Sequence, residues 1–211
     1  MQTGVELEIK PNIHLQKVAA ILRIAGWFSF IIQISLAAIS GVLLLLAVSG
    51  RSFNQEIVDP PGTSSVGVPS TQATTPGLGI GIFWAVSGLV VLLFGIYLAF
   101  RLIRFSKRLR NPNPEIHPKR TKVMEVLKLA VMTGLVGLLL TIFGNGATIG
   151  VLLAKSVAQP QGVAIYDPNR IIRSLDVFAA AANTLGVTAH FVGLATALGI
   201  LNWLHRPSDP I

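Results

Sequence analysis

The sequence has 211 residues, of which 52% are hydrophobic and only 12% are charged, with 17 Lys and Arg against 9 Asp and Glu. An average soluble domain has about 25% charged residues, so this composition excludes a water-soluble globule and a disordered tail protein. The chain has no cysteine, which excludes disulfides, zinc knuckles, thiolate nucleophiles and cysteine-ligated iron–sulfur clusters. It also lacks the common nucleotide-binding, zinc-protease and hydrolase motifs.

Four long stretches with few or no ionisable side chains predict four membrane-spanning helices. They are residues 24–48, 78–100, 129–153 and 177–204, and the last contains a single ionisable residue, His190. A helix needs about 20 apolar residues to cross the hydrocarbon layer, and backbone in lipid must satisfy its own hydrogen bonds. The predicted fold is therefore all-α, a four-helix bundle that forms one integral membrane domain over residues 1–211.

Basic residues are distributed unevenly between the two ends of these helices. Three precede the first span, nine lie in the connection 101–128 and one follows the fourth span. The opposite loops contain four, which are Arg51, Lys155, Arg170 and Arg173. The positive-inside rule therefore predicts that both termini and the connection 101–128 are cytoplasmic. Residues 51–77, rich in Pro, Gly, Ser and Thr, are predicted to form a flexible external loop.

The basic residues after the second span recur at helical spacing, which indicates that this helix continues beyond the membrane. The candidates for docking anionic lipid or an acidic partner protein are Arg101, Arg104, Lys107, Arg108 and Arg110. The insertion rule by itself also accounts for these charges, so a solvated flank that only orients the helices is the alternative. Aromatic side chains do not alternate with them as on a nucleic-acid surface, so nucleic acid is not an expected partner.

Glycines are concentrated on the predicted helices, and on the second span Gly81, Gly88 and Gly95 recur every seven residues. Small residues allow helix backbones to approach closely in lipid. This pattern predicts a compact bundle, with an interface between identical subunits or a pore lining as the alternative.

The fourth span contains three polar residues at seven-residue spacing, Asp176, Asn183 and His190. They share one helix face and extend over roughly 21 Å of membrane depth. Asn145 on the third span is expected near the level of Asn183, and Gln33 on the first span within reach of His190. Such a chain of carboxylate, amides and imidazole favours coordination of a cation in transit, or relay of protons, with His190 and Asp176 as candidate metal ligands.

A structural interpretation of the same residues stays open. Asp176 suits the positive end of a helix, the amides suit interhelical hydrogen bonds worth about 0.6 kcal/mol each, and a buried neutral His190 needs only a carbonyl partner. Catalysis is not expected, because Asp176 and His190 are the available acid–base pair and lie roughly 21 Å apart along the helix axis. No cofactor is predicted.

The last two helices contain the most distinctive runs of residues. They are Ala147-Thr148-x-Gly150, Leu153-Ala154-Lys155, Ser174-Leu175-Asp176-Val177-Phe178, Ala182-Asn183-Thr184-Leu185, His190-Phe191 and Gly193-Leu194. With the Arg108-Leu109-Arg110 region, these runs resemble the chloroplast inner-envelope translocon subunit that is also described as an iron permease, together with its cyanobacterial relatives.

The resemblance implies a four-helix membrane protein of oxygenic phototrophs, in which iron permeation and participation in protein import are competing roles. The N-terminal residues do not have the composition of a transit peptide, so we expect the plasma or thylakoid membrane of a cyanobacterium. The predicted function is a permease-like protein that moves a divalent metal such as iron. The alternative is a non-transporting subunit of a protein-translocation or photosynthetic-complex assembly. Expected partners are membrane lipids and either further copies of the chain or other subunits of a membrane complex.

Overall fold

A computed structural model describes residues 13–58, 78–158, 172 and 174–205, and in this part of the chain all regular structure is helical. The elements are α1 (Ile13–Val58), α2 (Leu78–Leu109), a short 3₁₀ helix (Pro114–Ile116), α3 (Arg120–Val157) and α4 (Ser174–His205). All four α-helices are long and apolar enough to cross a membrane. The predicted all-α class with four spanning helices is confirmed.

Each helix contains one predicted span and is longer than it. The largest difference concerns α1, which continues to Val58, so the first eight residues of the predicted external loop 51–77 are helical. The physical reason is that no proline or glycine occurs between Arg51 and Val58, and the first strong helix breaker is Pro60. The rest of that predicted loop lies outside the described residues. The extension of α2 to Leu109 confirms the prediction that the second helix continues beyond its span.

The helices form a bundle in which α1 contacts α2 and α4, and α3 contacts the same two helices. α2 and α4 also touch each other across the centre. Consecutive helices are antiparallel: Ser106, near the end of α2, donates a 2.7 Å hydrogen bond to the carbonyl of Ala19, near the start of α1. α2 and α4 therefore run in the same direction, and their polar contacts can repeat along both helices.

The outside of the bundle is apolar, unlike that of a soluble bundle. Large apolar side chains cover the outside, among them Phe28, Leu45 and Phe83, which are 58%, 68% and 65% exposed. The largest buried apolar cluster lies at one end of the bundle, where Leu98, Leu102 and other side chains of α1 and α2 pack against α3. Much of the remaining interior is polar, and such a surface fits a lipid solvent.

Three glycines of α2 lie where neighbouring helices approach closely. A β-carbon at Gly81 or Gly88 would overlap the side chain of Thr148 or Thr141 on α3, and one at Gly95 would lie 3.2 Å from the amide oxygen of Gln33. The prediction of a compact bundle is confirmed at these positions. Gly146 and Gly150 of α3 have open space around them, so these two glycines lie on the outer surface.

The predicted orientation can be tested directly, because a single introduced cysteine would be unique in this cysteine-free chain. Ala158 and Arg110 are exposed at opposite ends of the bundle. In intact expressing bacteria, a membrane-impermeant maleimide should label Ala158→Cys, whereas Arg110→Cys should react only after permeabilisation. The reverse labelling pattern would show that the basic connection faces outward.

Candidate functional site

The three aligned polar residues of α4 all face the interior of the bundle. Asp176 and Asn183 are 1% exposed and His190 is 3% exposed. Each contacts a different position along α3, and Asn183 and His190 also reach backbone carbonyls of α2. We call these three residues, with Lys155 and Gln33, the polar seam. Buried polar groups in a membrane protein are costly, so their alignment marks this face of α4 as the candidate site.

One end of the seam is an ion pair between two helices. The Lys155 ammonium, in the last turn of α3, donates a 2.5 Å hydrogen bond to a carboxylate oxygen of Asp176, in the first turn of α4. Both side chains are buried, at 5% and 2% exposure. By sequence Lys155 counts among the loop cations, and its pairing with Asp176 was not predicted. The sequence does contain a sign of the pairing: Lys155 lies at the end of one apolar helix and Asp176 at the start of the next. In an antiparallel pair of helices, these two positions lie at the same end.

Asn183 occupies the next level of the seam. Its side-chain amide donates to the carbonyl of Ala179 on the same helix, at 3.2 Å, and more weakly to that of Gly81 on α2, at 3.4 Å. Its carbonyl oxygen is buried and has no hydrogen-bond partner among the described residues. That oxygen lies against Gly144 of α3, where a β-carbon would overlap it. Asn183 therefore presents an unused acceptor between α3 and α4.

His190 is the third α4 residue of the polar seam and lies near the middle of the helix. Its Nε2 lies 3.1 Å from the carbonyl oxygen of Gly88 on α2. Because a carbonyl only accepts, Nε2 donates in this arrangement, and Nδ1 is left as the second ring nitrogen. The ring covers Gly137 of α3 so closely that a β-carbon there would overlap three ring atoms.

Gln33 of α1 joins the seam at the level of His190, as its sequence position predicts. It is 3% exposed, donates a 2.6 Å hydrogen bond to the hydroxyl of Ser29 and packs on Gly193 of α4. Gln33 and His190 line one small cavity of about 30 Å³ together with hydroxyl groups of α1, α3 and α4. That volume is enough for about one or two water molecules.

Asn145 lies beside the seam rather than in it. Its amide oxygen accepts a 3.2 Å hydrogen bond from the hydroxyl of Thr184, which is exposed on α4. Asn145 is therefore near the level of Asn183, as predicted, but on the flank of the α3–α4 contact. Its role in a transport path stays a prediction.

The described residues contain no group of three or more His, Cys, Asp or Glu side chains that could hold a metal ion. Asp176 and His190, the predicted metal ligands, are fourteen residues apart on one continuous helix. This spacing separates them by roughly 21 Å, so a single ion does not contact both. The two side chains belong to different levels of the seam.

The predicted docking residues divide into two groups. Three of them line a groove between the end of α2 and the start of α3, and Lys107 and Arg110 do not. We call this groove the basic groove. The charged residues that line it are Arg101, Arg104, Arg108, Lys119, Lys122 and Glu115. The two lysines were not predicted to lie beside the arginines, because residues 110–119 separate the two groups along the chain.

Comparison with known proteins places this architecture in a family. Residues 12–205 match the family described as "Protein of unknown function (DUF3611)". The chain belongs to the DUF3611 family. This match covers all four helices and the whole polar seam.

A curated relative supports the same assignment. The DUF3611 chain is 31% identical over 151 residues to "Protein TIC 21, chloroplastic" from Arabidopsis thaliana, across 68% of this chain and 48% of the relative. The chain thus spans about half the length of that relative. No solved structure matches the present chain. The resemblance to the chloroplast translocon-subunit family is confirmed, and the DUF3611 chain is an integral membrane protein.

Proposed function

We propose that this chain is a permease-like membrane protein that moves a small cation along the polar seam, with a divalent metal such as iron as the leading cargo. The observation that carries the proposal is the single buried face of α4 with Asp176, Asn183 and His190. Oxygen and imidazole nitrogen ligands suit first-row divalent metals. The family resemblance to a protein described as an iron permease supports the same cargo. The proposed location is the plasma or thylakoid membrane of a cyanobacterium.

Movement of a cation in this proposal requires α3 and α4 to separate. In the packed bundle, His190 covers Gly137 and the Asn183 oxygen lies against Gly144, so the seam is closed at two levels. The Lys155–Asp176 pair joins the same two helices at one end of the seam. Release of this pair would free the Asp176 carboxylate from the Lys155 ammonium, and the buried Asn183 oxygen would be the next acceptor along the path.

A single subunit offers few ligands at any one level of the seam. A cation would therefore be passed from level to level, or several copies of the chain would each contribute a seam to one path. We include a homo-oligomer in the proposal for this reason. The proposal contains no catalytic step, and Asp176 and His190 lie roughly 21 Å apart along α4.

The test is ferrous iron uptake into proteoliposomes that contain the full chain. His190→Gln should reduce the uptake rate about 10-fold, because the amide can still donate to Gly88 but the imidazole ligand is lost. The matched control is Thr188→Val, at an exposed position two residues earlier on the same helix, which should leave the rate within about twofold. Uptake that is equal in the two variants and in the parent would contradict the permease proposal.

A second candidate function is a non-transporting subunit of a membrane assembly, for protein translocation or photosynthetic-complex biogenesis. The observation that favours it is the closed packing itself, since the cavity that Gln33 and His190 line has a volume of only about 30 Å³. Affinity purification from native membranes separates the two functions. Stoichiometric protein partners together with no iron uptake would support the subunit, and a homo-oligomer with iron uptake would support the permease.

A further inference from the structure

The basic groove is a concave site of about 780 Å³ at the end of the bundle opposite the Lys155–Asp176 pair. Its walls are the last turns of α2 and the first turn of α3, and its floor is the connection between them. The connection is held in a fixed shape: His117 Nε2 lies 2.8 Å from the carbonyl of Asn111, whose side chain accepts a 3.1 Å bond from the amide of Asn113. These hydrogen bonds give the floor of the groove a defined shape.

The groove carries a net positive charge. Five cationic side chains line it against the single carboxylate of Glu115. None of the five forms an ion pair with a carboxylate in the described part of the chain. α3 also begins here without a side-chain cap and without an acidic residue in its first turn, so the helix end adds to the positive potential. The positive charge of the groove therefore favours an anionic ligand.

Two guanidinium groups are positioned by aromatic rings. The Arg104 Cζ lies 4.8 Å from the centre of the Phe100 ring, and the Arg101 Cζ lies 5.6 Å from that of Phe105. Stacking on a ring leaves the N–H donors at the guanidinium edge available to a ligand. The paired donors of a guanidinium match the oxygens of a phosphate group.

The position of the groove identifies the source of the anion. Tyr97 and Phe100 line its membrane end and are 55% and 39% exposed. One helix turn further into the apolar span, Leu93 and Phe94 are also exposed on α2. The cationic groove is thus continuous with an apolar outer surface, which is the arrangement that an amphiphile requires.

We propose that the basic groove binds the head group of an anionic glycerophospholipid from the surrounding bilayer. Arg101, Arg104 and Arg108 hold the phosphate, and the acyl chains lie along the exposed face of α2 that includes Phe94 and Tyr97. Orientation of the helices in the membrane requires charge at this end, but it does not require convergence of that charge on one groove. Lys107 and Arg110, on the same stretch of chain and outside the groove, provide the comparison.

The experiment titrates the detergent-purified full chain with phosphatidylglycerol and counts bound lipid by native mass spectrometry. Phosphatidylcholine and inorganic phosphate are the parallel probes. We expect one phosphatidylglycerol to bind preferentially, and the triple variant R101Q/R104Q/R108Q to weaken it about 100-fold. The charge-matched triple variant K107Q/R110Q/K128Q changes three exposed cations outside the groove and should stay within about threefold.

The single variant Arg108→Gln tests the site even if the triple variant misfolds. Arg108 is exposed and makes none of the ring contacts described above, so its replacement should not disturb the fold. It should weaken phosphatidylglycerol binding about fivefold. Equal weakening by the two triple variants would overturn the site, since it would show a diffuse charge effect. Binding of phosphatidylcholine or of inorganic phosphate as tight as that of phosphatidylglycerol would overturn the lipid assignment.

Discussion

Asp176→Asn should lower the free energy of unfolding of the purified protein by about 3–5 kcal/mol, the usual cost of removing one partner from a buried ion pair. The variant leaves the Lys155 ammonium buried at 5% exposure without its carboxylate partner. Lys155→Met should also lower stability, because it removes the ammonium that pairs with the buried carboxylate of Asp176. Unfolding by SDS in mixed micelles, followed by circular dichroism, measures both variants.

The control for this prediction is Lys128→Met, the same substitution at an exposed position of α3, which should change stability by less than about 0.5 kcal/mol. The double variant K155M/D176N should be more stable than either single variant, because both charges are removed together. Losses that simply add in the double variant would mean that the two side chains do not stabilise each other.

Gly137→Ala should lower stability by about 1–3 kcal/mol, as overpacking of a filled core does. The new methyl group would overlap ring atoms of His190 and displace the ring from its hydrogen bond to the carbonyl of Gly88. The same SDS titration measures the loss. Gly150→Ala on the same helix is the matched control, because nothing lies within 4 Å of a β-carbon there.

Alanine is the better helix former, so Gly150→Ala should be neutral or stabilising by about 0.5–1 kcal/mol. The double variant G137A/H190A tests the cause of the Gly137→Ala loss, since removal of the imidazole makes room for the new methyl group. It should therefore be less damaged than the sum of the two single variants. Equal losses at Gly137 and Gly150 would instead indicate a general effect of replacing glycine in α3.

The fold could be predicted from the sequence because each membrane span is determined locally. An uncharged run of more than 20 residues is enough to predict a membrane-spanning helix. Helix ends were predicted less well for a related reason. Hydropathy marks the lipid layer, whereas a helix stops at a breaker, so α1 continues to Val58, close to Pro60, rather than ending with the apolar run.

The candidate site could be predicted only where one helix determines it. The spacing of Asp176, Asn183 and His190 fixes their common face, and counting residues from the helix ends placed Gln33 at the level of His190. The rotation of one helix against another is not encoded in either helix alone. For that reason the sequence places Lys155 and Asp176 at the same end of the bundle but does not show that the two side chains pair.

The contacts between α2 and α4 leave the longitudinal alignment of the two helices underdetermined. Asn183 meets the carbonyl of Gly81 and His190 meets that of Gly88, and a further glycine, Gly95, follows at the same interval. A slip of α4 by one such interval would again set polar side chains opposite glycines, with His190 opposite Gly95. The Lys155–Asp176 ion pair between α3 and α4 has no repeat along either helix, so such a slip of α4 would break it.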